Sequence, residues 1–498
     1  MTQTHPLVRA TDRFFHSARR LRWWVAVKLA KRRLKRGPPL IEITRADTGS
    51  FPFLEAYLNT TECDLLEDYK QGGVQRVGPL DGRKYSQIFG IFLNKYHMNV
   101  LAPVECENAR IEDCLFELVY MGQAIAICDA DGRGMAMLRP FSYEEQLSDI
   151  AAAFLVELAR YRASPFKVPR RPTLFLGDTR PLHFVGELVG YLYAKRVELD
   201  ALEDPLQVVE ARNQSFFGLE TTFAPCIQST VLENTTVNAY CRQHNLMLIS
   251  GGRPDGVSLS KLSDALPWCA PRLAEEAADA QQVRRATLPR DPMIVVIGLD
   301  VEKDRFPDQR ELASIILSQL VSHAGDRGRQ LVVAWDGWTI RENGVTDNDR
   351  KMFERIRTVA SEIELAWDED VVFTKIYDLP FTEKVAFCME IDFFVSTHGT
   401  AAMIAGGMCE KPGFCYHNPV ELATALPLSY KAVYVLPPEK ARFLEPIPKQ
   451  LPQHHWPFTI DLNAIPSISS LLDAKPDATE GADKHQPNLG VGTTFDVP

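Results

Sequence analysis

The chain has 498 residues, a formal net charge of −10, 45% hydrophobic residues and 24% charged residues. That length exceeds what one hydrophobic core supports, so two or three domains are expected, in a composition ordinary for a soluble globular protein. No apolar run approaches the ~20 residues that span a bilayer, no repeat is visible, and the N-terminal apolar run Trp23 to Val27 is too short and too basic in its flanks for a cleavable signal peptide.

The charge is unevenly placed. Residues 9–36 carry eleven Lys/Arg and one acid, Asp12, a net +10 that leaves −20 for the rest. Phe14, Phe15, Leu21, Trp23, Trp24, Val27, Leu29 and Leu34 stand among those cations. A helix of this kind lies in the headgroup layer, with aromatics at the interface and cations on anionic lipid. An acidic body with one basic arm is not the footprint of a nucleic-acid-binding domain. The arm, residues 1–40, is therefore expected to contact an anionic membrane surface and no nucleic acid; the bland alternative is a basic tail that contacts anything acidic. None of the ten cysteines forms a C-x-x-C pair, which favours reduced, buried thiols in a cytosolic protein over disulfides or zinc.

After Gly37-Pro-Pro39 comes a mixed, strand-rich region, 41–170, in which 109–120 and 123–128 read as strands and 142–162 as a helix. From 171 to 285 a βα pattern begins. Strand 173–177 is followed by a helix over 183–196 with Phe184, Leu188 and Tyr191 in 3/4 spacing, and 207–210 and 246–249 read as strands with a helix over 232–244 between them. The Ala-rich, charged stretch 270–290 reads as an inter-domain connection.

From 286 to 425 the pattern is clearer. Strands 293–298, 331–335, 371–374, 393–396 and 414–416 alternate with helices 308–323, 347–364, 382–389 and a small-residue helix 400–408. Strands that are apolar throughout and alternate with helices indicate a parallel sheet covered on both faces. The expected fold is α/β: two Rossmann-like domains facing a cleft, with an N-terminal strand-rich extension. Residues 426–473 read as a C-terminal return segment, and 474–498, poor in large apolar residues, as a disordered tail.

The most informative stretch is Asp392-Phe-Phe-Val-Ser-Thr-His-Gly-Thr-Ala-Ala-Met-Ile-Ala-Gly-Gly-Met408. A buried strand, a sharp turn at Thr397-His398-Gly399-Thr400 and a small-residue helix place backbone N–H groups, a helix dipole and one histidine at the carboxyl end of a parallel strand. That arrangement suits a phosphate or pyrophosphate; the bland alternative is an ordinary strand–helix turn. Gly399 allows close backbone approach, and Thr400 can cap the helix while offering a hydroxyl. Arg341, and with less force Lys303 and Arg305, add positive charge. Glu421, just past the last strand, can bind a ribose hydroxyl or serve as a helix N-terminal acid. On the other half, His183 starts a helix at the carboxyl end of a strand and suits proton transfer near neutral pH, with Glu187 one turn on and Asp178 preceding it; a helix cap and solvated acids are the structural alternative.

Two motifs resemble a known family. The stretch Phe393-Phe-Val-Ser-Thr-His-Gly-Thr-Ala-Ala402 is similar to the strand–H-G turn, and Leu182-His-Phe-Val-Gly-Glu187 to the H-F-x-x-E helix start, of glycosyltransferase family 61-like enzymes of the GT-B type, which act in bacterial polysaccharide synthesis. The segment 108–131 also resembles the piece preceding that histidine, and the likeness covers roughly residues 100–425. It departs where the family's arginine follows the second strand of the C-terminal domain: here Trp335-Asp-Gly-Trp-Thr-Ile-Arg341 carries it several residues on.

The resemblance implies an inverting, metal-independent glycosyltransferase with a nucleotide sugar as donor substrate and no resident cofactor, a glycan or lipid-linked acceptor, and a place on the cytoplasmic membrane face. Residues 171–285 would be the acceptor side, with His183, Glu187 and Asp178 catalytic. Residues 286–425 would bind the donor through Thr397, His398, Gly399, Thr400, Arg341 and Glu421. Two other readings stay open: a nucleotide-sugar epimerase-type enzyme, which needs no membrane arm, and a catalytically silent GT-B-like subunit of a membrane complex, which the displaced arginine favours.

Overall fold

The computed structural model describes residues 41–42, 53, 64–78, 81–93, 96–106, 113–120, 123–128, 136–137, 171–176, 184–250, 262–301, 305–341, 344–367, 371–398, 402–424, 433–446 and 456–473. The basic arm 9–36, the helix expected over 142–162 and the tail 474–498 lie outside them. The chain divides into two compact units, 1–258 and 259–498.

The first unit holds two sheets. β1 (Ile41–Glu42), β2 (Gln75–Val77), β3 (Lys84–Leu93), β4 (Tyr96–Pro103), β5 (Leu115–Tyr120), β6 (Gln123–Cys128) and β7 (Ala136–Met137) form one sheet in the order β1-β7-β6-β5-β4-β3-β2. It is antiparallel from β2 to β7. β8 (Arg171–Leu176), β9 (Leu206–Ala211), β10 (Ile227–Leu232) and β11 (Leu246–Ser250) form a second sheet, parallel throughout, in the order β10-β9-β8-β11.

The antiparallel sheet packs directly on the parallel one. Gly90 of β3 lets the Leu248 carbonyl approach to where a Cβ would lie 2.2 Å from its oxygen. Beside it the Gln87 side-chain amide donates to the same carbonyl at 2.8 Å. Phe92, Phe175, Val209, Ala211, Val237, Cys241 and Leu248 make the shared apolar layer. Burying each large side chain of that kind is worth about 1.5–3 kcal/mol. His97 packs between Phe92 and Phe175, with ring centroids 5.1 and 4.7 Å away. Desolvation there holds its pKa well below the ordinary histidine range.

The helix expected over 232–244 is present but shorter, Val237–Gln243, and is preceded by a strand not expected from sequence, β10. β10 carries three consecutive polar residues, Gln228, Ser229 and Thr230, and lies at the edge of its sheet, so it lacks the all-apolar signature of its neighbours. The helix expected over 183–196 begins as a π-helical turn, Phe184–Val189, continues as Gly190–Ala194 and breaks at Lys195 before Arg196–Asp200.

The second unit is a parallel sheet of β12 (Met293–Gly298), β13 (Leu331–Asp336), β14 (Val371–Lys375), β15 (Phe393–Thr397), β16 (Gly413–Tyr416) and β17 (Val433–Val435). Their order is β14-β13-β12-β15-β16-β17, the 3-2-1-4-5-6 sequence of a doubly wound sheet. Met293, Val295 and Ile297 face a cluster that includes Leu312, Ile316 and Leu320 of the helix Gln309–Asp326 and Ile356, Ala360 and Ile363 of the helix Asp347–Glu364. The latter opens with a capping box between Thr346 and Asp349.

On the other face lie the helix Phe381–Cys388 and the π-helical turn Met403–Met408, with Leu262–Glu276 packed on both. Small residues are required there: a Cβ on Gly406 would come 2.9 Å from the Phe394 ring. The stretch 270–290 is accordingly no connection. Its helices, Leu262–Glu276 and Ala278–Arg285, belong to the second unit, whose boundary falls at 258/259 where 285/286 was expected. β18 (Ala441–Phe443) and β19 (Phe458–Ile460) form a small ribbon, and the helix Ile468–Asp473 docks on Gln309–Asp326.

Among the described residues no helix is long and apolar enough to cross a membrane. Among the described residues eight cysteines are free thiols, and six of them are buried.

Candidate ligand edge of the second sheet

β12 and β15 are neighbours, yet the chain leaves them toward opposite faces. In a 3-2-1-4-5-6 sheet this is the switch point, and a crevice opens there at the carboxyl ends of the two strands. The strands approach closely: a Cβ on Gly298 would lie 3.0 Å from the Ser396 Cβ. After β13 the chain leans over the end of β12, since Gly337 has φ +148° and a Cβ there would meet the Leu299 carbonyl oxygen at 2.5 Å. Only glycine takes that backbone angle without strain.

His398 stands at this edge. Its backbone N–H donates to the Tyr416 carbonyl at 2.9 Å, extending the β15–β16 ladder by one bond past Thr397. Thr397 and His398 are each half-buried. Burial lowers the His398 pKa, so the imidazole is neutral at neutral pH and offers one N–H donor. The helix that follows starts as a π turn, a form frequent at functional sites. Gly399 and Thr400 lie outside the described residues, as does Lys303.

The carboxylates at this edge are already matched. Asp300 is bound by Arg305 through Nε at 3.1 Å and Nη2 at 2.9 Å, both residues buried. Arg305, expected as a possible phosphate cation, is thus committed to that pair. Asp336, the last residue of β13, accepts from Lys384 Nζ at 2.6 Å; that lysine is fully buried and also reaches the Trp338 carbonyl and Thr339 Oγ1. Nothing in its sequence context marks Lys384, which falls in an ordinary helical stretch. Trp338 Nε1 donates to Asp349 at 2.7 Å, and Ile340 bridges to Pro380 beyond β14. These contacts fix the loop that ends in Arg341, which is half-buried and on the β14 side.

At the end of β16 stand His417 and Asn418, both buried and neither singled out by sequence. His417 Nδ1 accepts from the Asn418 N–H at 2.8 Å, and its ring stacks on Phe458. Glu421 falls in the helix Pro419–Thr424, with its side chain outside the described residues.

The first unit repeats part of this topology. Its order, β10-β9-β8-β11, is 3-2-1-4, with a switch point between β8 and β11. Asp178 and His183, which follow β8 in sequence, lie outside the described residues, and Glu187 is described by backbone alone. Phe184, next to His183, is fully buried against Phe216 and Phe217, with ring centroids 5.8 and 5.1 Å away. Among the described residues no group of three His, Cys, Asp or Glu side chains is placed to hold a metal ion.

No family model and no curated protein matches the sequence. Among solved structures the chain is similar to the UDP-GlcNAc 2-epimerase from Methanocaldococcus jannaschii, at 10% identity and a TM-score of 0.26 over 61% of this chain and 75% of that one. It is also similar to an alpha,alpha-trehalose-phosphate synthase (UDP-forming) from Burkholderia xenovorans in complex with glucose-6-phosphate, at 9% identity and a TM-score of 0.27 over 69% and 79%. The fold assignment rests on the strand orders, not on these likenesses.

Proposed function

We propose that the protein is a glycosyltransferase of the GT-B type, resembling family 61, that moves a sugar from a nucleotide donor to a glycan or lipid-linked acceptor with inversion and without a metal. The observation that carries this reading is the parallel 3-2-1-4-5-6 order whose switch point falls on the strand end before His398. The turn 397–400 holds the diphosphate through backbone N–H groups and the His398 imidazole, with Arg341 and Glu421 completing the donor site. His183, with Glu187 and Asp178, serves the acceptor. In the reaction the acceptor hydroxyl loses its proton to the base, its oxygen bonds to the anomeric carbon, and the bond to the departing diphosphate breaks. Because His398 is neutral before the ligand binds, its ring N–H stabilises the leaving group's growing charge by hydrogen bonding, with no proton transferred.

The test is incubation with a panel of nucleotide sugars and membrane extract, with released nucleoside diphosphate as the readout. Release that depends on the extract supports transfer. Epimerised donor without acceptor points to an epimerase. Nucleotide protection in a thermal-shift assay without either product points to a silent binding subunit.

The basic arm supplies the membrane location on the cytoplasmic face. Deleting residues 1–37 is expected to release the protein from anionic vesicles while sparing activity on a soluble acceptor. Binding of the full chain should weaken with salt, because attraction to a charged surface is screened over about 8 Å at physiological ionic strength. Equal sedimentation of both forms at low and high salt would remove the arm as the anchor.

A further inference from the structure

The small C-terminal ribbon of the second unit reaches back to the carboxyl edge of the sheet. Phe458 of β19 is fully buried, and its backbone N–H donates to the Arg305 carbonyl at 2.9 Å. Thr459 Oγ1 donates to the carboxylate of Asp308, the residue that precedes the helix Gln309–Asp326. The Phe458 ring stacks on Phe306, with centroids 5.1 Å and planes 15° apart, and on His417, with centroids 5.8 Å and planes 5° apart. Phe306 follows β12, and His417 is the first residue after β16. Those two strands flank β15, which runs directly into His398. One ribbon side chain therefore touches the segments on both sides of that histidine's strand.

A chain of contacts leads from the Phe458 ring to His398. The Tyr416 ring packs against Phe306 at 4.9 Å and against Phe414 at 6.1 Å between centroids. The Tyr416 carbonyl accepts the His398 backbone N–H at 2.9 Å. The last residue of β16 thus sets the backbone position of His398. Phe306 holds that residue through its ring, and His417 holds it as its neighbour in sequence. Phe458 contacts both. Stacked aromatic rings prefer defined offsets and angles, so these contacts fix orientation as well as burying area.

The dependence runs both ways. A ribbon of two three-residue strands is marginal by itself. It keeps its place through Arg305, Asp308, Phe306 and His417, and through the helix Pro419–Thr424, which packs on β18. We propose that Phe458 is a positioning residue for the donor site, and that the ribbon is a strap holding His398 in register from outside the α/β sheet. The link to the donor rests on the reading of His398 as a diphosphate ligand; the strap stands on the contacts alone. Coupling of this kind is reciprocal, so bound diphosphate protects the ribbon as the ribbon supports the site.

The experiment compares the full chain with two variants. Phe458→Leu keeps the site apolar and removes the flat ring. Ile363→Ala truncates a buried residue in the last turn of the helix Asp347–Glu364, outside the chain of contacts. Amide hydrogen exchange is read in the peptide over 393–398 and, as the reference for opening of the whole sheet, in the peptide over 293–298. Affinity is measured calorimetrically with uridine, guanosine and cytidine diphosphates as probes.

The expected result is that F458L raises exchange over 393–398 more than over 293–298 and weakens diphosphate binding by about 2–30-fold, the range that residues acting at a distance on a site commonly show. I363A is expected to raise exchange in both peptides together and to leave affinity unchanged. If F458L behaves as I363A does, Phe458 is core packing only and the proposal is overturned. Selective exchange in F458L with unchanged affinity overturns the positioning role. Selective exchange in F458L, with no diphosphate bound by the wild type, overturns the donor-site reading and keeps the strap. Should F458L not fold, Thr459→Val removes the bond to Asp308 without opening the core. Selective exchange over 393–398 in that variant supports the strap, and exchange equal to wild type in that peptide overturns it.

Discussion

The two parallel sheets share a strand order around their first strands, yet their carboxyl edges differ in charge. In the second sheet the edge carboxylates are already neutralised, Asp300 by Arg305 and Asp336 by Lys384. The histidine beside them is neutral through burial. In the first sheet the residue paired with the last of β8 is Glu210, a fully buried acid that accepts from Ser215. An anion entering the second edge meets acids whose charge is already paired; at the first edge Glu210 is fully buried and accepts from Ser215 at 2.6 Å. Equal topology therefore gives two edges of unlike charge.

The comparison breaks most visibly in turnover. His183→Ala is expected to lower it by about 10²–10⁴-fold while nucleotide binding stays near native, if the proposed base on the first unit is correct. A variant with near-native turnover would move the base to Glu187 or Asp178.

Next in size is the buried pair. Lys384→Met leaves Asp336 buried without its cation and should destabilise the second unit by about 3–5 kcal/mol in denaturant unfolding. A loss under 1 kcal/mol would mean that the pair is hydrated and does not fix the loop leading to Arg341. His398→Ala removes one hydrogen bond to a charged ligand and should weaken nucleoside diphosphate binding by roughly 1.5–3 kcal/mol, read by calorimetry, with the fold intact.

The smallest effect is the pH dependence of stability. His97 and His398 both have lowered pKa values, so the unfolded chain binds more protons than the folded one. Their stabilisation is full above the ordinary histidine pKa, about 6.5, and declines as pH falls below it. Bound diphosphate should oppose that decline for His398, and H398Q should remove the ligand's effect.

The second sheet was the more legible in sequence because its strands are buried on both faces and read as unbroken apolar runs, as in Met293–Gly298 and Leu331–Asp336. The same reasoning missed β10, an edge strand with polar residues at Gln228, Ser229 and Thr230, and the three-residue β17. It took the stretch 270–290 for a connection, since Pro271 and a charged Ala-rich run resemble a linker until their helices are packed on Phe381–Cys388. His398 was legible because a histidine after an apolar strand and before small residues has a local signature. Lys384, His417 and Glu210 were not: each is defined by a partner brought near by the fold or by burial, and neither leaves a spacing to read. Arg305 shows the converse, a cation conspicuous in sequence whose partner, Asp300, takes its charge.

The central claim is that the nucleoside diphosphate occupies the second edge and not the first. Photolabelling the full chain with an azido nucleoside diphosphate, then mapping the labelled peptides, tests it directly. The account predicts label in the peptide following β15, residues 397–410, lost with excess unlabelled nucleotide and diminished by His398→Ala. Label confined to the peptide following β8, residues 177–190, or indifferent to competitor, would contradict it.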